Sequence, residues 1–349
     1  MKYLKQLSET PGIPGQESKI RDIIREELGP YVEEIETDVL GNLICIRKGT
    51  GEGPRVLVAA HMDEIGFMVR AIEEESGFLR IEPVGGFDPR LLLAQRVFVH
   101  GQEGTYPGVI GTKPIHLLEK EDTKKVPEIK DLFVDVGMAK DRVKDSISIG
   151  DPITLQQNFT ELGDLVTGKA LDDRVGIYTA IEAIKKVNSK YPQHRADIVF
   201  VGTTQEEIGL KGATVSGYTV EPDIAVAVDV TVALDIPDVE ERDTVTTLGD
   251  GVGIKIKDSS SISNPKLVRK LKEIGDNNSI PYQMEILPRG GTDAGAIQLS
   301  KSGVAAITLS VPTRYVHSVV ESAAKSDIQA GIDLLAEFLA TCHEDEYTL

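Results

Sequence analysis

The chain has 349 residues, no tryptophan and only two cysteines. Cys45 and Cys342 lie almost 300 positions apart and neither belongs to a CxxC pair. This spacing excludes a disulfide framework and a cysteine-based zinc site. We therefore expect two free thiols in a protein of the reducing cytoplasm, where disulfides are rare.

Long apolar runs are also missing. No segment reaches the roughly 18–20 consecutive apolar residues that a membrane helix needs. The opening residues, "MKYLKQLSETPGIPG", lack the apolar core of a signal peptide. These absences predict a cytoplasmic location and no membrane partner.

Positive charge is scarce. The chain has 38 Lys and Arg against 56 Asp and Glu, which gives a formal net charge of −18. Nucleic acids and anionic membranes are bound by clusters of Lys and Arg. We therefore predict no nucleic-acid partner, whereas an acidic surface favours cations, including metal ions.

The patterns along the chain predict two domains. Apolar runs such as "VLVAA", "DIVFVG" and "DIAVAVDV" alternate with helical patterns, which is typical of an α/β domain with a mostly parallel sheet covered by helices. Residues 67–160 instead show short strand-like segments separated by Gly and Pro, as in a small β-barrel or sandwich. We predict an α/β domain over residues 1–66 and 161–349, interrupted by an inserted β domain over 67–160.

Polar residues collect where these apolar strands end or helices begin. In open α/β sheets, function concentrates at the carboxyl ends of strands. Taken singly, each has an ordinary explanation, since an Asp before a helix is usually a cap and glutamates after a strand usually lie in a solvated loop. The residues at such positions are His61, Asp63, Asp172, Asp173, Glu206, Glu207, Asp229 and His317.

Together these side chains indicate a metal site. Carboxylates gathered in a poorly solvated place repel one another, and divalent cations relieve that repulsion. Mixed His and carboxylate ligands suit Zn²⁺, with Co²⁺ and Mn²⁺ as close alternatives. Five such ligands, one of them bridging, indicate two metals about 3.5–4 Å apart.

Six ordered segments resemble the M42 family of metallo-aminopeptidases, which includes tetrahedral (TET) and glutamyl aminopeptidases. They are "AAHMDEIGFMV", "GKALDDRVG", "TTQEEIGLKGA", "VAVDVT", "PRGGTDAGAI" and "RYVHS". The resemblance spans nearly the whole chain. It implies a zinc-peptidase-like catalytic domain with an inserted, PDZ-like β-barrel for dimerisation. Dimers of this kind are expected to build a hollow tetrahedral dodecamer.

The resemblance also implies a ligand set. His61 and Asp229 would bind one ion, Glu207 and His317 the other, and Asp172 would bridge them. Each subunit would then hold two divalent ions, Zn or Co.

Further roles follow from the same resemblance. Asp63 would hold His61 in its ligating tautomer. Glu206 would be the general base that activates a metal-bridging water. The peptide bond between Asp172 and Asp173 is expected to be cis. For Asp293 two interpretations stand side by side, a helix cap and a residue of the substrate loop.

The implied activity is release of N-terminal residues from short peptides. An N-acyl amino acid deacylase, or another amide hydrolase on the same scaffold, is the enzymatic alternative. Some relatives carry the description endoglucanase, but glycosidases typically use paired carboxylates without metals. A metal-storing or scaffolding assembly is the non-enzymatic alternative. The sequence leaves the preferred N-terminal residue open.

Overall fold

A computed structural model describes residues 1–51 and 53–349. Within these residues the helices are α1 Lys2–Glu9, α2 Ser18–Leu28, α3 Lys140–Ser146, α4 Leu171–Lys190, α5 Lys211–Val220, α6 Pro265–Asn278, α7 Asp293–Ile297 and α8 Lys325–Thr341. The strands are β1 Glu34–Thr37, β2 Leu43–Arg47, β3 Arg55–His61, β4 Gly66–Ile72, β5 Leu79–Val84, β6 Arg96–Gly101, β7 Gly104–Gly111, β8 Phe133–Asp135, β9 Pro152–Leu155, β10 Thr160–Leu162, β11 Leu165–Gly168, β12 Asp197–Thr203, β13 Ile224–Val232, β14 Val252–Lys257, β15 Tyr282–Ile286, β16 Ala305–Arg314 and β17 Glu321–Ala324.

The larger sheet runs in the order β1-β2-β12-β3-β13-β16-β17-β11-β10, with β14 and β15 joined at β16. Its four central strands, β12, β3, β13 and β16, are parallel, as the alternating pattern predicts. Antiparallel pairs extend the sheet on both sides, so the whole sheet is mixed. The short connection from β1 to β2 allows a hairpin, whereas parallel neighbours need a long crossover.

Helices cover both faces of the central strands. Along β3, the buried side chains of Val56 and Val58 join the core that contains α4 and α8. The alternate residues, Leu57 and Ala59, join a second core with α5 and α7. Because successive side chains of a strand point to opposite faces, a strand covered on both sides needs a continuous apolar run. The apolar segment "VLVAA" meets this requirement.

The inserted region forms a closed barrel of β4-β5-β8-β7-β6-β9. Its interior holds its own apolar core, which includes Phe67, Val97 and Val134. The barrel strands lie between Gly66 and Leu155, inside the predicted segment apart from the first residue. The next strand, β10, pairs with β11 in the larger sheet. The small β-barrel is thus confirmed, while its independence as a domain stays a prediction.

Two expectations from composition can be compared with the described residues. Cys45 and Cys342 are both buried and free. No helix among these residues combines the length and apolar character needed to cross a membrane.

Asn42 ties the β1–β2 turn to the carboxyl end of β12. This fully buried side chain donates to the Gly212 carbonyl at 3.0 Å and to Asp38 Oδ2 at 2.7 Å. Its Oδ1 accepts from the backbone N–H of Thr204 at 3.0 Å. Thr204 follows the last residue of β12, so Asn42 fixes the point where that strand leads into Glu206 and Glu207.

We predict that Asn42→Ala destabilises the protein by about 2–4 kcal/mol, because it leaves buried backbone groups without partners. Chemical denaturation monitored by circular dichroism measures the change in the free energy of unfolding. Asn278→Ala, on the exposed end of α6, is the matched control and should stay within about 0.5 kcal/mol of wild type. Equal effects from both substitutions would contradict a tethering role for Asn42.

Candidate metal centre

The predicted site residues meet at the carboxyl ends of the central strands. His61 is the last residue of β3, Asp229 lies near the end of β13, and His317 follows β16. Glu207 follows β12, and Asp172 lies in the first turn of α4. Parallel strands end at one edge of a sheet, so residues distant in sequence converge there.

These five residues form two groups that could each hold a metal ion. The first is His61, Asp172 and Asp229, and the second is Asp172, Glu207 and His317. Within each group, one ligand atom from every residue lies within 4.8 Å of the others. Asp172 belongs to both groups, as expected of a bridging carboxylate.

The two oxygens of Asp172 face different imidazoles. Its Oδ1 lies 2.9 Å from Nε2 of His61, and its Oδ2 lies 3.4 Å from Nε2 of His317. The same His317 nitrogen is 3.4 Å from Oε1 of Glu207. Each half of the carboxylate is thus directed at a different ligand group.

Burial raises the pKa of several acids of the site. It raises the pKa of Glu206 and of Glu207 above the usual range, and it raises that of Asp229 to about 8. Repulsion from neighbouring carboxylates, such as that of Asp172 on Asp229, adds to these shifts. The protein therefore holds several carboxyl groups where they ionise reluctantly without a cation.

Attraction between acid and imidazole opposes burial, because it lowers the pKa of the acid and raises that of the imidazole. Burial alone would raise the pKa of Asp172, but His317 and His61 outweigh it and lower that pKa. Burial would likewise lower the pKa of His317, yet Asp172 and Glu207 raise it to about 12. The residues present thus fit divalent cations, since such ions neutralise the acids and suit mixed imidazole and carboxylate ligands.

Asp63 contacts both the His61 imidazole and the segment that carries the two adjacent glutamates. The backbone carbonyl of Asp63, rather than its carboxylate, lies at 3.0 Å from Nδ1 of His61, and the nearest carboxylate oxygen is 3.7 Å away. The carboxylate instead accepts the backbone N–H groups of Glu206 and Glu207, each at 3.0 Å. Asp63 therefore orients the imidazole by its main chain and the two glutamates by its side chain.

Glu321 was missed by sequence analysis. This buried side chain accepts the backbone N–H of Asp172 at 2.9 Å and that of His317 at 2.8 Å. It lies in β17, within "VVESAA", where a buried glutamate at the start of a short strand resembles an ordinary edge residue. Only the pairing of β17 with β11 brings it beside the start of α4.

The aspartates beside the ligands also have backbone or hydroxyl partners. The peptide bond between Asp172 and Asp173 is cis, as expected. Asp173 accepts the His61 backbone N–H at 3.1 Å. Asp293 accepts a hydrogen bond from the Thr203 hydroxyl at 2.5 Å, and its other oxygen has no partner among the described residues. The α7 helix has no side-chain cap, so the capping interpretation of Asp293 is wrong.

A cavity of about 490 Å³ opens onto these groups. One wall carries the ligand residues together with Glu206. The remainder is mostly apolar or small, with a single arginine, and comprises Leu210, Val230, Thr231, Val232, Ser259, Ser260, Leu287, Arg289, Gly290, Gly291 and Val316. The candidate ligands therefore face a space large enough for a small organic molecule.

Known proteins resemble this chain over most of its length. Residues 41–334 match the family model described as M42 glutamyl aminopeptidase. The lysyl aminopeptidase of Pyrococcus furiosus is 36% identical over 99% of this chain and 98% of its own.

Solved structures of aminopeptidases also resemble this chain. An aminopeptidase from the archaeon Desulfurococcus kamchatkensis is 40% identical, with a TM-score of 0.92 over 97% of this chain and 94% of its own. The TET1 peptidase of Pyrococcus horikoshii, which can assemble into a tetrahedron or a large octahedral shell, is 36% identical. Its TM-score is 0.85 over 97% of this chain and 98% of its own. The chain therefore belongs to the M42 family of aminopeptidases, which are hydrolases.

Proposed function

We propose that the chain is a two-metal aminopeptidase that releases N-terminal residues from short peptides. One observation carries the proposal. Two groups of His and carboxylate side chains share Asp172 and face a cavity, and a further carboxylate that lines this cavity, the half-buried Glu206, belongs to neither group. A site built only to store metal has no use for this additional acid.

Two divalent ions, Zn or Co, would be held by the two ligand groups. His61 and Asp229 would bind one ion, Glu207 and His317 the other, and Asp172 both. When bound, such ions polarise a carbonyl and make water a better nucleophile near neutral pH.

Glu206 is proposed as the general base. Its side chain is half-buried, lines the cavity and has a pKa raised chiefly by the loss of solvent around it. A carboxylate in such a place accepts the proton of the attacking water and then donates it to the leaving amine. Asp63 supports the position of Glu206, because its carboxylate accepts hydrogen bonds from the backbone N–H groups of both glutamates.

Assembly is proposed from the barrel and from the TET relative. Exposed apolar side chains on the inserted region include Leu91, Leu93, Ile115 and Leu117. Their burial between copies would favour dimers through the barrel. We propose that such dimers build a hollow tetrahedral dodecamer in the cytoplasm, where the two free thiols would stay reduced.

The two adjacent glutamates should respond differently to the same substitution. We predict that Glu206→Gln retains metal but lowers kcat about 10²–10⁴-fold, because it removes the proton acceptor. Glu207→Gln should instead weaken metal binding by removing an anionic ligand. Elemental analysis after dialysis and steady-state kinetics on aminoacyl-p-nitroanilides measure the two effects.

N-acetyl amino acids and carboxymethylcellulose are assayed alongside the aminoacyl substrates, with and without chelator. Hydrolysis of the acetylated compounds alone would indicate a deacylase and overturn the aminopeptidase proposal. A Glu206→Gln variant with near wild-type kcat would exclude its role as the base. Metal-loaded protein that is inert towards all substrates would favour the storage alternative.

Glu321 is proposed as a positioning residue for the ligands. Both of its partners are N–H donors, so Glu321→Gln would place an amide N–H₂ against one of them. We predict a loss of about 10–100-fold in metal affinity, as is typical when an outer hydrogen-bond partner is removed. Titration against a chelating dye measures the metal Kd.

The exposed Glu74 provides the matched control, and Glu74→Gln should leave the metal Kd unchanged. The thermal midpoint of each metal-free variant separates loss of ligand positioning from general unfolding. A Glu321→Gln variant that binds metal as tightly as the control would disprove the role.

The assembled state is tested by light scattering of the wild-type chain. We predict a particle close to twelve times the mass of one chain, 37.9 kDa. The double substitution Ile115→Asp and Leu117→Asp should lower the mass, since it places charge on the exposed apolar surface of the barrel. A wild-type chain that remains monomeric at micromolar concentration would contradict the proposed assembly.

A further inference from the structure

Four successive backbone N–H groups, those of residues 204–207, donate to side-chain oxygens where the chain leaves β12. Asn42 accepts the first of them, and the Asp63 carboxylate accepts the third and the fourth. The second belongs to Gln205 and donates to Oε1 of Glu17 at 3.2 Å. Glu17 is only 2% exposed. A buried acid close to the N-terminus thus supports the segment that carries the two adjacent glutamates.

The backbone conformation of Gln205 requires such support. Its φ of 56° lies in the left-handed region, which residues other than glycine rarely adopt. A residue held there costs free energy and persists only where its surroundings determine the conformation. The backbone of this turn leads directly into Glu206, so the partners of the turn determine where that side chain is placed.

The segment that contains this buried acid, residues 12–17, is attached beside Asp63. Gly12 forms two hydrogen bonds with Glu64, the residue after Asp63. Its carbonyl accepts the Glu64 backbone N–H at 2.9 Å, and its own N–H donates to the Glu64 Oε1 at 3.0 Å. The buried guanidinium of Arg174 donates to the same carbonyl at 3.3 Å. We call residues 12–17 the N-terminal brace, because one end is fixed beside Asp63 and the other contacts the turn after β12.

A turn within the N-terminal brace holds the Glu17 carboxylate in place. Gly15 has a φ of 84°, a conformation that glycine adopts without steric cost. Its N–H donates to Oε1 of Glu17 at 2.8 Å, and the N–H of Gln16 donates to the Ile13 carbonyl at 2.8 Å. The oxygen that accepts the N–H of Gly15 is the same one that accepts the N–H of Gln205. The turn therefore presents a fixed acceptor to Gln205.

We propose that Glu17 is a positioning residue for Glu206, and this inference rests on the proposed function, in which Glu206 is the general base. Glu17 does not line the described cavity, so it acts through the backbone of Gln205 rather than on the substrate. By accepting that N–H, it fixes the direction in which the next residue leaves the turn. Placement matters because a displacement of about 1 Å near the chemistry can lower a rate about 10²-fold.

The first arm of the test measures steady-state kinetics on aminoacyl-p-nitroanilides. Glu17→Ala should lower kcat about tenfold, since Asn42 and Asp63 still hold the rest of the turn. KM should change less than about twofold, because a general base acts in turnover rather than in substrate binding. The metal Kd should stay within about threefold of wild type, well below the loss expected when a partner of a ligand is removed.

The conservative variant and a control separate the hydrogen bond from other effects. Glu17→Gln keeps a carbonyl oxygen that can accept the N–H of Gln205, so it should recover most of the wild-type kcat. Glu26→Ala is the matched control, because Glu26 is exposed on the neighbouring helix α2. It should leave kcat, KM and the metal Kd unchanged.

The second arm measures hydrogen exchange of the metal-free protein by mass spectrometry, which needs no catalysis. In Glu17→Ala, peptides that cover residues 203–210 should exchange faster than in wild type, because the N–H of Gln205 has lost its acceptor. Peptides from the barrel should be unchanged, and Glu26→Ala should match wild type throughout.

An unchanged kcat in Glu17→Ala would overturn this inference alone, as would a Glu17→Gln variant that is as impaired as Glu17→Ala. Faster exchange throughout the Glu17→Ala protein would indicate general unfolding and would also overturn it. A wild-type chain that is inert towards every aminoacyl substrate would instead overturn the proposed function, even if the exchange of residues 203–210 still depends on Glu17.

Discussion

The gathering of poorly solvated carboxyl groups at one edge of the sheet is the constraint on which this structure depends. Glu206, Glu207 and Asp229 line one side of a single cavity, where burial raises their pKa, whereas His317 and His61 lower the pKa of Asp172 beside them. Hydrogen bonds within the chain support their arrangement. Other acids provide much of this support. Their carboxylates accept hydrogen bonds from backbone N–H groups of the segments that carry the candidate ligands.

The supporting acids follow one pattern. The Asp63 carboxylate accepts two hydrogen bonds from backbone N–H groups in the segment after β12. The Glu321 carboxylate accepts one from the start of α4 and one from the segment after β16. The Asp173 carboxylate accepts a hydrogen bond from the backbone N–H of His61. A carboxylate that accepts backbone N–H groups is satisfied without a neighbouring side-chain cation. These hydrogen bonds therefore position the segments that carry the candidate ligands through main-chain N–H donors.

Sequence analysis predicted the α/β class, the inserted barrel and the residues that meet at the site. It placed His61, Glu207 and Asp229 together because these residues lie at or near the ends of strongly apolar runs, so that strand direction determines where they converge. It did not find Glu321, because that residue acts through pairing between strands distant in sequence. The predicted role of Asp63 beside His61 named no atom, since spacing along the chain does not distinguish a main-chain oxygen from a carboxylate. The antiparallel edges were also not predicted, because short strands carry weak periodicity.

The candidate ligands come from five separate segments, between position 61 and position 317. The first ligand group spans residues 61–229 and the second residues 172–317, and each depends on the parallel pairing of the central strands. Metal affinity is consequently a property of the completed fold, and the unfolded chain competes poorly for the same ions. Because metal binds the native state, free metal adds to the free energy of unfolding. Above Kd, this gain grows with the logarithm of the ratio of metal concentration to Kd. The availability of metal in the cell would thus determine how long the folded protein survives as well as whether it is active.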